Sequence, residues 1–187
     1  MKRIYIYLLL LICSFSSYCY GQNAVKIKLL YKSTDAQQSN KDTLDIRRVR
    51  AAFFSDSIVV RLKNTQKLVL PPDAIWGYQD NDNTIYRYYD GDFYMVRQLD
   101  TLVIYSRRVG KSTCYYFSQG RNGELLSLNC KNLKKEFSGD TCFLDKMDNG
   151  LKWYQDYSSY DDKTKSYRMI EFFKSCTGNI QSDKAEN

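Results

Sequence analysis

The chain has no histidine among its 187 residues. That removes the usual general base near neutral pH, every Ser-His or Cys-His nucleophile pair and the commonest transition-metal ligand. It also lacks an apolar run long enough to cross a bilayer, since the longest, Ile4 to Phe15, falls short of the roughly 20 residues a helical span needs. Two cofactor motifs fail on single positions. Gly110-Lys111-Ser112 has the end of a phosphate loop, but Tyr105 stands where that loop needs its first glycine. Asp80-Asn81-Asp82-Asn83 opens like a calcium loop, but Ile85 replaces the required glycine and Gly91 the closing carboxylate. No metal site and no cofactor is therefore expected. One chemistry that survives is carboxylate-based glycan hydrolysis, which needs only two acidic residues. The acidic residues, however, gather in turn clusters such as Asp80, Asp82, Asp90 and Asp92, where Asp is favoured for backbone reasons.

What is present begins with Met1-Lys2-Arg3, the apolar run and a small-residue stretch ending Cys19-Tyr20-Gly21. This is the order of a secretory signal peptide over residues 1–21, with cleavage expected before Gln22. Ile12 and Tyr18 are bulky where a lipobox before Cys13 or Cys19 wants a small residue, which argues against lipidation. Loss of Lys2 and Arg3 lowers the formal charge from +7 to +5. Residues 22–180 are the size of one domain and can bury about 70% of their unfolded surface without a staple. Residues 181–187 read as a frayed tail. Basic clusters at Arg47-Arg48-Val49-Arg50, Arg107-Arg108 and Lys131 to Lys135, with 17 tyrosines, have the composition of a nucleic-acid binder. Export argues against that, and a solvated surface near anionic polymers is the simpler reading.

The chain is organised around Ala74 to Tyr105, an antiparallel β-meander. Asp90-Gly91 lies between two aromatic runs and accepts the positive φ angles of a type I′ turn. Counting outward sets Tyr89 against Asp92, Tyr88 against Phe93, Arg87 against Tyr94, Tyr86 against Met95 and Ile85 against Val96, and opposed side chains share a face. A turn around Leu99 to Thr101 then places Tyr86, Tyr88, Phe93, Met95, Leu102 and Ile104 on a dry face. Ile85, Arg87, Tyr89, Tyr94, Val96 and Tyr105 lie on an amphipathic one. A four-residue loop at Asp80 to Asn83 puts Trp76 opposite Arg87 and Gly77 opposite Tyr86, while a loop one residue longer exchanges these faces. Further strands are predicted at Val25 to Tyr31, Ile46 to Phe54, Ile58 to Leu62, Lys67 to Leu70, Thr113 to Ser118 and Glu124 to Leu128. Helices are predicted at Asn129 to Phe137, Asp140 to Met147 and Lys163 to Cys176. The expected fold is α+β: an antiparallel meander sheet with a helical C-terminal third packed on it.

The blocks IWGY, IYR, the hairpin aromatics, LVIY, YYFS and NLKKEF, over Ala74 to Phe137, occur in an order that resembles a group of secreted Bacteroidota proteins with no assigned activity. The resemblance implies a cell-envelope setting and transfers no catalytic residue.

Trp76, Arg87, Tyr94 and Tyr105 are the candidate recognition surface, since flat rings with polar edges and an arginine suit ligand contact. The competing expectation is that helices or other strands cover them. In an oxidising compartment Cys130 is expected to bond Cys142, and Cys114 to bond Cys176, with buried free thiols as the alternative. The role expected is a non-enzymatic envelope binding or structural protein, its partner an envelope glycan or another envelope protein, with no nucleic acid and no transmembrane span. The alternative is a carboxylate-dependent, glycan-acting enzyme.

Overall fold

A computed structural model of the chain describes residues 26–32, 44–52, 55–152 and 155–182. The signal segment at 1–21 and the last five residues of the expected tail lie outside the described residues. The strands are β1 (Lys28–Tyr31), β2 (Ile46–Ala51), β3 (Ile58–Leu62), β4 (Lys67–Leu70), β5 (Ile75–Gln79) and β6 (Ile85–Tyr89). They continue with β7 (Asp92–Gln98), β8 (Leu102–Val109), β9 (Ser112–Gln119), β10 (Leu126–Ser127), β11 (Tyr160–Asp161) and β12 (Ser166–Tyr167). Helices α1 (Cys130–Glu136), α2 (Thr141–Asn149) and α3 (Arg168–Ser182) complete the α+β fold.

Seven strands form one antiparallel sheet in the spatial order β1-β5-β6-β7-β8-β9-β10. The hairpin has the expected register, with Tyr86 opposite Met95, Arg87 opposite Tyr94, Tyr88 opposite Phe93 and Tyr89 opposite Asp92. Its turn residues Asp90 and Gly91 take φ of 46° and 78°, the left-handed values that a type I′ turn demands.

The β5–β6 connection is the longer alternative. Gly77 faces Arg87, and Tyr78 faces Tyr86. Trp76 nevertheless reaches the amphipathic face, because β1 pairs Leu30 with Gly77 and Tyr31 with Ile75, leaving Trp76 as an extra residue in β5. A bulge of this kind turns two neighbouring side chains toward the same side. At Gly77 an added Cβ would lie 1.9 Å from the Tyr86 carbonyl oxygen, so only glycine fits beside β6.

Two separate layers cover the dry face. Strands β2, β3 and β4 form a second antiparallel sheet, whose Ile46, Val49, Ile58, Val60 and Leu62 pack against Ile75 and Tyr88. The helices cover the far end, where Leu102, Ile104 and Phe117 meet Leu133, Phe143, Met147, Met169 and Ile170. Removing each such side chain from water contributes about 1.5–3 kcal/mol.

Helices α1 and α2 start where capping predicts. The Asn129 side chain accepts the Asn132 amide, and that of Asp140 accepts the Phe143 amide, each satisfying an otherwise orphaned donor. The third helix starts later than its composition suggests. The Asp161 side chain accepts the Lys163 amide at 2.8 Å, and Lys165 takes φ of 54°, so residues 160–167 form the β11–β12 hairpin. Helix α3 then runs through Gly178 to Ser182, taking in two residues expected to fray.

The cysteines depart from expectation. Cys142 bonds Cys176, with Cα atoms 5.8 Å apart, and Cys114 and Cys130 are free thiols. Both expected pairs are therefore incorrect. Cys114 faces Arg107 across the β8–β9 ladder, which puts it on the side of Tyr105 and Tyr116, away from the helices. Cys130, at the start of α1, is instead a hydrogen-bond partner of Tyr157, and that contact together with burial pushes the phenol up to about 12. The bond that forms joins the two helices that pack on each other, α2 and α3.

Candidate functional site

The four residues expected to form a recognition surface are brought together, but they are buried. Trp76 is 3% exposed, Arg87 4%, Tyr94 7% and Tyr105 0%. Among the described residues the cover comes from residues 120–125, between β9 and β10, whose Leu125 clusters with Tyr94 and Tyr105. Trp76 Nε1 donates to the Arg121 carbonyl at 2.9 Å, and the Arg121 guanidinium lies over the indole ring at 4.5 Å. Arg87 donates to Tyr105 Oη, Ser118 Oγ and the Gly123 carbonyl at 2.9, 3.2 and 2.7 Å. Its charge also rests against the rings of Trp76, Tyr89 and Tyr105, at 5.9, 5.1 and 5.5 Å. Arg107, not Arg87, lies over Tyr94, at 5.6 Å. Among the described residues no carboxylate pairs with Arg87; neutral acceptors and aromatic faces hold the cation. Its job is to hold down the segment above it, and as a ligand surface the four-residue patch is withdrawn.

The accessible site lies on the opposite face, where the two covering layers leave part of the sheet bare. A cleft of about 630 Å³ is lined by Tyr86, Phe93, Met95, Ser106 and Thr113, with Arg97, Arg107, Arg108, Lys111 and Asp92. Pockets that take small molecules commonly have about this volume. The register explains the lining, because Tyr86, Met95 and Ser106 are successive cross-strand partners and Arg108 faces Thr113.

Arg97 enters the cleft through an irregularity. Val96 pairs with Tyr105 and Gln98 with Ile104, so Arg97 is the extra residue of β7. Its Nε donates to the buried Ser106 Oγ at 2.7 Å. Gln98 meanwhile bonds Ser166 and the Tyr167 amide, at 3.1 and 3.0 Å, latching the β11–β12 hairpin beside the cleft. Arg107 is held by Asp92 at 2.6 Å. Among the described residues Arg97, Arg108 and Lys111 have no ion-pair partner. Tyr86 stacks on Tyr78 with centroids 4.9 Å apart and planes at 13°. Burial, followed by the charge of Asp80, raises the Tyr86 phenol and keeps it neutral.

Arg107-Arg108 is legible in the sequence as a basic cluster, but the site it belongs to is not. The available signal was that the dry row of β8, Leu102 and Ile104, continues as Ser106 and Arg108, polar residues on a face otherwise reserved for core.

A second cleft, of about 330 Å³, is lined by Lys32, Asp56, Pro72, Asp73, Tyr88, Tyr89, Asp90 and Gly91. Its three aspartates are exposed, and the buried Tyr88 hydroxyl there has no hydrogen-bond partner among the described residues. Among the described residues no three Cys, Asp or Glu side chains are grouped to hold a metal ion, and no helix is long and apolar enough to cross a membrane.

Fold and site together define an α+β protein with a cationic cleft on the central antiparallel sheet. No family model, no curated protein and no solved structure matches the chain.

Proposed function

We propose that the protein is an exported, non-enzymatic binding protein of the cell envelope, and that its ligand is an anionic envelope component received in the cleft at Arg97, Arg108 and Lys111. The observation that carries this reading is the set of three cations around one concave surface that, among the described residues, have no carboxylate partner. Charges left unpaired in a cleft focus the local field and attract a ligand of opposite sign. Among the described residues Asp92 is the only acidic one lining this cleft, and it is engaged by Arg107, so it offers no opposed pair for hydrolysis. Export is supported by the signal-like order of residues 1–21.

The carboxylate-dependent enzyme remains the second reading, and it belongs to the other cleft, which Asp56, Asp73 and Asp90 line together with Tyr88. One experiment separates the two. The chain from Gln22 onward is sedimented with envelope polysaccharide fractions at about 0.05 and about 0.5 M salt, and the supernatant is assayed for new reducing ends. Binding that weakens with salt, as screening requires, and no new reducing ends are expected. Failure to bind any fraction overturns the binding reading, and released reducing ends establish the enzymatic one.

A further inference from the structure

We infer that the cleft seats the oxyanion of an acidic saccharide, with Arg97 as its fixed contact, Arg108 and Lys111 as closing cations and Tyr86 as the platform for the sugar ring. This rests on the binding reading above and names the chemistry of its ligand.

Ser106 is 3% exposed on the floor of the sheet and accepts the Arg97 Nε proton at 2.7 Å. A guanidinium has five donors in a rigid fork. With Nε turned to the floor, the end carrying Nη1 and Nη2 is left for a second acceptor, and that end matches the two oxygens of a carboxylate, sulfate or phosphate group. Ser106 therefore acts as a positioning residue. It fixes one cation before any ligand arrives, which lowers the ordering cost of binding.

Arg108 projects from the same face as Ser106, two residues along β8 and hence about 7 Å away at the backbone. Lys111 follows from the β8–β9 turn, where Gly110 takes φ of 61°. Both are exposed. Three cations thus converge on one cleft from two neighbouring strands and one turn.

The apolar part of the cleft decides among anions. One face of the Tyr86 ring is occupied by Tyr78 on the β5 side, which leaves the other toward β7, Met95 and the cleft. Phe93 and Met95 extend this surface. A bare inorganic anion would use the cations alone, whereas a ring with an apolar C–H face and an attached oxyanion uses both. The cations cluster in one cleft and do not track a long groove, which fits a short acidic oligosaccharide better than a single-stranded nucleic acid, whose binders follow the backbone over many nucleotides.

The test is calorimetric titration of the chain from Gln22 onward with a galacturonic acid trisaccharide, its methyl ester, a sulfated tetrasaccharide, inorganic sulfate and an oligothymidylate. Either charged saccharide binding at least about tenfold tighter than the methyl ester and inorganic sulfate supports the inference, and the tighter of the two identifies the carrier of the charge. The Arg108→Gln/Lys111→Gln double variant and Arg97→Gln should each weaken that binding about tenfold or more, as loss of a charge-assisted contact implies. Ser106→Ala should weaken it with no change in net charge. Lys67→Gln, an exposed cation on β4, should leave it unchanged, and unfolding curves show which variants remain folded. Equal binding of acid and ester, tightest binding of the oligothymidylate, or cleft variants that behave like Lys67→Gln each overturn the inference. If those variants still bind the envelope fractions, the cleft assignment falls while the binding reading stands; if the unaltered chain binds no fraction and no saccharide, both fall.

Discussion

Nη2 of Arg87 donates to the carbonyl oxygen of Gly123 across 2.7 Å, and this contact closes the 120–125 segment over one face of the central sheet. A guanidinium that looks from its sequence context like a ligand contact is an internal fastener. The same cation also bonds Tyr105 and Ser118, which bond each other at 2.9 Å.

Replacing Arg87 by Met should therefore affect folding far more than binding. The substitution keeps apolar bulk but strips three acceptors of a charged donor, and breaking such a buried network costs about 3 kcal/mol. Urea denaturation should show that loss. Saccharide affinity, measured on the opposite face, should be unchanged; a stable variant with lost affinity would mean that the buried patch is the site after all.

Gly77→Ala tests the close approach of β5 and β6. The new methyl would stand 1.9 Å from the Tyr86 carbonyl oxygen, so one strand must move, at a cost of about 1–3 kcal/mol. Because Tyr86 is also a wall of the cleft, saccharide binding should weaken as well. Wild-type stability in this variant would show that the two strands are farther apart than described.

Removal of the Cys142–Cys176 bond should lower stability by about 4 kcal/mol in the chain-entropy model for a 34-residue separation. The bond holds α3, whose Met169 and Ile170 are wholly buried, against α2. Peptide mapping without reduction should find this single crosslink, with the partly exposed free thiols of Cys114 and Cys130 alkylated in the folded protein. A Cys130–Cys142 crosslink would contradict the helix packing.

Stability should decline at both ends of the pH scale, for separate reasons. Tyr78 is pushed up to about 12, first by burial, then by Tyr86 and Asp80, with Arg48 opposing. A raised value means that its contribution is intact below the unfolded value near 10 and is lost as pH rises toward 12. Asp100 is lowered: burial raises it, but the Lys174 ammonium and the Thr101 amide outweigh that. Its contribution is present above the usual carboxylate range and disappears as pH falls through its folded value. Thermal unfolding across pH, with phenolate absorbance followed at the alkaline end, checks both. The Tyr78→Phe variant should lose part of the alkaline decline, and Asp100→Asn part of the acid one.

Much of the framework was legible because turn and capping chemistry is local. Asp90-Gly91 determined the hairpin register, Asn129 and Asp140 determined two helix starts, and alternation placed β3 and β4 at Ile58–Leu62 and Lys67–Leu70 as expected. Those signals act within a few residues of chain, so a linear reading reaches them.

The site depended on relations that no short stretch contains. Whether Trp76 shares a face with Arg87 turned on a connection one residue longer, offset by an extra residue opposite β1. Arg97 reaches the cleft only because β7 carries one residue more than β8 opposite it. Cys142 met Cys176, and not Cys130, because helix packing brought α2 and α3 together. The cleft lies on a face of the central sheet that a three-stranded sheet and a helical layer from distant parts of the chain cover elsewhere. By itself the sequence determined the strands, caps and tight turns, which follow from backbone preferences of neighbouring residues. Only the tertiary structure decided which polar side chains were sealed in and which were left facing solvent, because that depends on what packs above them from distant parts of the chain.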